Sequence, residues 1–309
     1  MKNKKRVSVI IINYNSGELL RNCIKSIHKF SDLTAIEIII VDNASKDGSE
    51  ILPNELMHNA TLIKNTKNLG FGAANNIGLK KASGDYALLL NNDTIFIEDT
   101  ISQCLNLSDN IDSNFILGCQ LINTDKSIQP SIYKFPTLSL TFSFSFYLYL
   151  FFPRSKMLGK GHTSYKNKND LDEVDVVMGS FMFLPKITLE KLNGFDEDFF
   201  FYYEEFDLCK RLHNIGGKCF FTNTTSIIHL GGASAKNDSW FSISNRYKSL
   251  FLYLQKHSNE FEYSVHILLY HLGFLLRVIV FVIAGIFTFK KMFFRKSYYF
   301  LKLFFTKLR

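Results

Sequence analysis

A chain of 309 residues can bury a sizeable core, and its composition is that of a folded protein, unusual only in holding 31 Phe and 14 Tyr against one Trp. The net charge of +8 is concentrated at one end: residues 290–309 contribute Lys290, Lys291, Arg295, Lys296, Lys302, Lys307 and Arg309 and no acid, so the preceding body is close to neutral. A protein that tracks nucleic acid would spread basic residues over its fold, which argues against a nucleic-acid partner, and Cys23, Cys104, Cys119, Cys209 and Cys219 form no C-x-x-C pair, which argues for reduced core thiols and against a disulfide framework or a zinc site.

The basic start Met1–Arg6 precedes Val7-Ser-Val-Ile-Ile-Ile12, an apolar run too short for the core of a secretory signal. It reads as a buried strand ending in polar Asn13-Tyr14-Asn15. Residues 17–30 place Leu20, Cys23, Ile24 and Ile27 on one helical face. Ile36–Val41 is a second buried strand, followed by the turn-rich Asp42–Gly48. Thr61–Ile63 is a short third strand, Gly72–Lys81 a helix, and Tyr86–Leu90 a fourth strand running into Asn91-Asn92-Asp93. This alternation predicts an α/β fold with a parallel sheet covered on both faces. Ligands of such sheets bind beyond the carboxyl ends of the strands, where Asn13–Asn15, Asp42–Ser45 and Asn91–Asp93 converge.

After about residue 125 the alternation fades. Leu138–Phe152 is rich in Phe, Tyr and Leu but short for a membrane span. Val174–Leu184 reads as a strand broken by Gly179. Residues 203–214 form a helix with Glu205, Leu208, Cys209 and Leu212 on one face. Lys218–Thr222 and Ser226–Leu230 are two short strands before Gly231-Gly232, and residues 240–256 another helix. The expected organisation is one body over 1–256, in halves 1–125 and 126–256, with a hydrophobic and basic segment over 257–309. Within that segment Val265–Phe289 is mostly apolar but contains His266, His271 and Arg277. An Arg near the middle of a span costs about 2.5–3.5 kcal/mol. Two arrangements stay open, a single span and shorter helices lying on an anionic membrane surface.

Several residues invite chemistry. A carboxylate after a buried strand, as Asp93 is, can hold a hard cation that neutralises a diphosphate, or can cap a following helix. Asp42 can accept the N–H of a pyrimidine base or close its turn. Asn68–Gly78 offers glycines and amides at a helix start, where phosphate binds well, but lacks the G-x-G-x-x-G and G-K-[ST] spacings. In Phe199–Asp207 three acids follow a run of aromatics; a carboxylate beside another carboxylate and apolar rings has a raised pKa, as a general base needs. Asp207 can instead pair with Arg211 at i,i+4. His229 ends a strand, where a lone His is more often a satisfied structural residue than a ligand.

In order along the chain, Val7–Asn15, Val41–Ser45, Asn68–Gly78, Leu88–Thr94, Gly194–Phe200, Tyr203–Leu212 and His229–Ser234 resemble the family 2 glycosyltransferases, specifically the bacterial rhamnosyltransferase-like branch. The resemblance covers roughly residues 7–255. It implies a GT-A type fold, a Rossmann-like mostly parallel sheet flanked by helices, with a nucleotide-sugar-binding half before an acceptor-binding half. It also implies inverting transfer of one sugar, with Mg2+ or Mn2+, from a nucleotide-diphosphate sugar (dTDP-rhamnose or a UDP-hexose) to a lipid-linked glycan acceptor. The setting would be the cytoplasmic face of the cell membrane, in cell-surface polysaccharide synthesis.

Carried over by position, Asn13, Asn15, Asp42 and Asn43 line the nucleotide pocket, with Asn68, Asn75 and Asn92 beside it. Asp93 ends the family's acidic metal triplet, whose earlier acids are Asn91 and Asn92 here, and His229 matches the late histidine that completes the metal or phosphate site. The base position is Glu205, with Asp207 in reserve. The Q-x-x-R-W signature of processive synthases is absent, with Ser244-Asn-Arg-Tyr247 where the nearest Arg falls. The rival readings are a nucleotidyltransferase, which would carry a Gly-rich loop with a basic residue after the first strand, and a non-catalytic nucleotide-sugar-binding membrane adaptor.

Overall fold

The computed structural model of the protein describes residues 6–111, 114–153, 155, 157–159, 162–163, 170–231 and 239–306. The chain divides into two compact units, one of residues 1–134 with 162–234, the other of 135–161 with 235–309.

The first unit begins with β1 (Val7–Asn13), whose seven residues are all buried, as expected for a central strand covered on both faces. Helix α1 (Glu18–Phe30) buries the predicted Leu20, Cys23, Ile24 and Ile27. Next come β2 (Ile36–Asp42), β3 (Ala60–Lys64), α2 (Phe71–Leu79) and β4 (Tyr86–Asn91). β5 (Thr94–Phe96), α3 (Thr100–Ser108), β6 (Phe115–Ile122) and β7 (Ile132–Tyr133) come after them. The helices α4 (Leu138–Ser145) and α5 (Leu148–Phe151) belong to the second unit. The first unit resumes with β8 (His162–Thr163), β9 (Asp172–Val174), β10 (Val176–Val177), β11 (Phe181–Pro185), α6 (Lys186–Lys191), α7 (Glu204–Asn214) and β12 (Lys218–His229).

The main sheet has the order β3-β2-β1-β4-β11-β6-β12-β5, with β9 added on β12. β1 lies parallel to both β2 and β4 and β2 parallel to β3, so the carboxyl ends of these strands share one edge. β11 enters antiparallel to β4, and β12 runs parallel to β6 and antiparallel to β5. Two of the sequence expectations change here. The two strands expected at 218–222 and 226–230 are one strand, β12, with an irregularity between Thr222 and Ser226. The strand expected over 174–184 is split among β9, β10 and β11, with Gly179 falling in the turn before β11.

The core lies where β1, β2, β4, β6 and β11 meet α1 and α3; Phe96, Phe115, Phe181 and Phe183 are each almost fully enclosed. All five cysteines are free and buried in this unit. Burial pushes the Cys23 thiol up to about 12, which leaves it inert as a nucleophile.

The second unit is helical. α8 (Trp240–His257) is followed by α9 (Glu260–Thr288) and α10 (Lys291–Phe305). α9 is one continuous helix of 29 residues, long and apolar enough to cross a membrane. The chain reverses at Phe289, which adopts φ 54°, and α10 lies back along α9: Phe281 stacks on Phe300, and His271 meets Phe304. Arg277 is buried in the middle of α9. Its guanidinium donates to the carbonyls of Phe144 (2.6 Å), Ser145 (3.1 Å) and Gly273 (3.0 Å), and lies over the rings of Tyr147, Phe144 and Phe300. The charge that counted against this segment as apolar is thus solvated by the protein's own carbonyls and π faces. Outward-facing Ile279, Ile283, Ile286, Phe287 and Phe289 remain exposed.

Candidate active site

The parallel strands end in three polar clusters on one edge of the first unit. At the end of β1, Asn13 is fully buried, and its amide donates to Asp42 Oδ1 (2.7 Å), Ser49 Oγ (3.0 Å) and Ser45 Oγ (3.2 Å) while accepting from Ser16 Oγ. The second oxygen of Asp42 accepts the Ser45 N–H at 3.1 Å. Both Asp42 oxygens therefore serve this β1–β2 junction, and the expected turn closure is present. Asn15 sits at φ 48° and accepts the Lys46 N–H at 2.7 Å, which clamps the loop after β1 to the loop after β2.

Asn43 forms the second cluster. It donates to Asn68 Oδ1 (2.8 Å) and the Gly70 carbonyl (3.1 Å), and accepts from Asn65 (3.1 Å) and the Leu69 N–H (3.0 Å). The amides of 65–70 are thus spent on holding the approach to α2. The glycines there are filled by the chain as well. Gly70 adopts φ +87°, and a Cβ on it would lie 2.3 Å from the Phe200 carbonyl oxygen, while one on Gly78 would lie 2.6 Å from Ile10. The close approach predicted for this motif is an approach of the protein to itself. Asn75 donates to the Phe71 carbonyl (3.0 Å), and among the described residues its buried carbonyl oxygen has no hydrogen-bond partner. Asn76, adjacent, ties α2 to the following half by donating to the Phe195 carbonyl and to Glu197 and accepting the Phe195 N–H.

The third cluster lies after β4. Asn92 donates to the Ile12 carbonyl at 2.8 Å, pinning the turn to β1. Asp93 precedes strand β5, not a helix, and α3 is capped by Asp99 instead, so the capping role open to Asp93 falls away. Asp93 is 6% exposed, and among the described residues its Oδ1 has no aligned donor; His229 Nε2 lies 3.3 Å away. The pairing of β5 with β12 sets this meeting, with Thr94 opposite His229 and the Leu230 N–H on the Asp93 carbonyl. Among the described residues no group of three His, Cys, Asp or Glu side chains forms. A buried carboxylate oxygen without a donor, facing an imidazole nitrogen, is a donor set that suits a divalent cation completed by phosphate and water.

The acids of the second half sit at the start of α7, where the helix N-terminus favours negative charge. Tyr202 and Tyr203 are both left-handed (φ 72° and 67°), a costly backbone for bulky residues that turns the chain into the helix. Asp207 is 1% exposed and paired with Arg211 (2.7 Å), which also donates to the carbonyls of Leu192 and Gly194. Glu205 is half-buried, and its methylenes lie close enough to Gly179 that a Cβ there would be in ordinary van der Waals contact with them. The Ser180 carbonyl, next to Gly179, accepts the Asn91 N–H at 3.1 Å. Glu204 is the buried member: enclosure, and then the charge of Glu205, push its carboxyl well above the ordinary range. The sequence pattern does not separate these neighbours, because one residue of helix register decides which faces inward.

This unit has the GT-A fold of nucleotide-sugar glycosyltransferases, shared with the mannosyltransferase PcManGT of Pyrobaculum calidifontis in complex with GDP-Man and Mn2+ and with GalNAc-T7 bound to UDP, GalNAc and Mn2+. The first superposes with a TM-score of 0.60 at 13% identity, covering 97% of this chain and 86% of that one. The second gives 0.58 at 17%, covering 81% and 48%. The chain belongs to glycosyl transferase family 2, which matches residues 8–192, and is a glycosyltransferase of the rhamnosyltransferase-like branch. It is 30% identical over 263 residues to the rhamnosyltransferase WbbL of Escherichia coli (strain K12), covering 81% of this chain and 93% of the relative. It is 23% identical over 265 residues to the N-acetylglucosaminyl-diphospho-decaprenol L-rhamnosyltransferase of Mycobacterium tuberculosis (strain ATCC 25618 / H37Rv), covering 81% and 84%.

Proposed function

We propose that the protein transfers one sugar, with inversion, from dTDP-rhamnose or a UDP-hexose to a lipid-linked glycan acceptor, and does so with a divalent metal. The observation that carries this is Asp93 Oδ1 at the end of β4, which among the described residues has no aligned donor and lies 3.3 Å from His229 Nε2. Mg2+ or Mn2+ held by Asp93 and His229 would supply the positive charge that stabilises a departing diphosphate. Asn13, Asn15, Asp42 and Asn43 shape the nucleotide pocket, backed by Asn68, Asn75 and Asn92. Glu205 accepts the proton of the acceptor hydroxyl as that oxygen bonds to the anomeric carbon and the carbon–diphosphate bond breaks. Asp207 holds Arg211, which in turn holds the 192–194 turn, and this supports Glu205 over Asp207 as the base.

The second unit supports a membrane-held acceptor. α9 offers an exposed apolar face, and α10 carries Lys290, Lys291, Arg295 and Lys296 at its start, a pairing that suits an anionic membrane on the cytoplasmic side. The direct experiment is a panel of nucleotide sugars with a lipid-linked acceptor, with and without Mn2+, for wild type and Glu205→Gln. Metal-dependent turnover in wild type and a loss of about 100-fold or more in the variant is the expected result. Near-normal turnover of the variant removes Glu205 from the role, and donor binding without turnover favours the adaptor. Removal of 260–309 should release the protein from membranes; an unchanged membrane fraction sinks that part.

A further inference from the structure

The carboxyl ends of β6 and β12 lie side by side, Ile122 opposite Ile228, and the loop after β6 folds back so that the Gln129 N–H bonds the Leu121 carbonyl at 2.9 Å. This return brings Gln129 against His229 by two contacts. Its Nε2 lies 2.6 Å from the His229 backbone carbonyl, and its Oε1 lies 3.0 Å from His229 Nδ1. A backbone carbonyl can only accept, so the amide orientation is determined: the nitrogen faces it and the oxygen faces the ring. The same nitrogen also donates to Asn123 Oδ1 at 2.5 Å. An amide oxygen can only accept, so Nδ1 carries the hydrogen. In the neutral ring Nε2 then carries a lone pair, 3.3 Å from an Asp93 oxygen that among the described residues meets no aligned donor.

We propose that Gln129 is a positioning residue that fixes His229 as the Nδ1–H tautomer and so prepares Nε2 and Asp93 Oδ1 as two adjacent ligand atoms for a divalent cation. The proposal rests on the reading of Asp93 and His229 as a metal site. A separation of 3.3 Å would let both atoms reach one ion, since ligand bonds near 2.1 Å at right angles put their atoms about 3 Å apart. An outer partner on the second ring nitrogen is how ligating histidines are usually oriented, and its loss costs about 10- to 100-fold in metal affinity. The Gln129 side chain bonds Asn123 and His229, and among the described residues none of its hydrogen bonds reaches Asp93, so its effect has to pass through the imidazole.

The test uses the full-length protein in detergent, with Mn2+ in the presence of UDP or dTDP as the probe. Gln129→Met removes both contacts at similar volume, and Gln129→Glu keeps an acceptor for Nδ1–H but loses the donor to the His229 carbonyl. We expect Mn2+ binding, followed by electron paramagnetic resonance, to weaken about 10- to 100-fold in the Met variant and to weaken less in the Glu variant. In the metal-free protein, long-range 15N–1H correlation spectra of His229 should show Nδ1 protonated in wild type and a shift toward Nε2–H in the Met variant. Unchanged Mn2+ affinity in the Met variant, or Nε2–H in wild type, overturns the proposal. If wild type binds no Mn2+ the metal reading fails, and the tautomer still decides the role of Gln129 by itself. If the Met variant does not fold, the wild-type tautomer remains the deciding measurement.

Discussion

Breaking the Asp207–Arg211 pair decides between two roles for an acid at the head of α7. Asp207 is 1% exposed, and Arg211 answers it at 2.7 Å while donating to the Leu192 and Gly194 carbonyls. In Arg211→Met a carboxylate is left buried without its cation and two carbonyls lose a charged donor. Removing one member of a buried pair costs about 3–5 kcal/mol. Arg211 itself is 24% exposed, so water can enter beside the carboxylate, and the lower end, about 3 kcal/mol, is the expected loss. For a unit of this size that is a fall in midpoint of roughly 6–12 °C. Trp240 lies in the second unit, so its fluorescence reports the wrong one; hydrogen exchange at the amides of α7, β6 and β11 tracks the right one. The double variant Asp207→Leu/Arg211→Met leaves no buried charge and should regain more than half of the loss. A loss under about 1 kcal/mol, or a double variant no better than the single, refutes the structural role. Asp207→Asn, which keeps shape and an acceptor for Arg211, should leave kcat within about threefold, against the ~10²–10⁴ expected of a lost base.

Three further outcomes rest on single contacts. Glu204→Gln should stabilise the fold, and increasingly so as pH rises. A raised folded pKa means the stabilising contribution is fully present below the unfolded value of 4.5 and is lost as pH climbs through the folded one, so the two proteins should match near pH 4.5 and diverge by about pH 8; a pH-independent difference rejects this. Gly70→Ala places a methyl on a positive-φ residue facing the Phe200 carbonyl, and strain plus overpacking should cost about 2–5 kcal/mol, seen as faster exchange in α2; wild-type protection would reject the close approach. Arg277→Met should loosen α4, because the Phe144 and Ser145 carbonyls lose a charged donor worth about 1.5–3 kcal/mol; unchanged exchange at α4 amides would show that the rings alone hold it.

How much of the fold is legible in the sequence depends on how local each signal is. β1, β2 and β4 are legible because a strand buried on both faces is a continuous apolar run, and α1 because its four core residues repeat at helical spacing. The stretch Phe115–Ile122 has the same apolar character, yet the sequence assigns neither β6 nor α3, since the motifs that punctuate the first half stop at Asp93 and give no register beyond it. Asp93 itself has two readings in sequence because an acid after a strand commonly heads a helix. Only the antiparallel pairing of β5 with β12, which sets Thr94 opposite the distant His229, removes one of them. Gln129 carries no sequence signal at all: its position depends on a loop that returns to the end of β6, and its two donor–acceptor choices are set by a carbonyl on β12. The resemblance to family 2 glycosyltransferases leads to His229 by motif and passes over Gln129, because a motif records the residue that would meet the ligand while the residue that orients it is reached only through the fold.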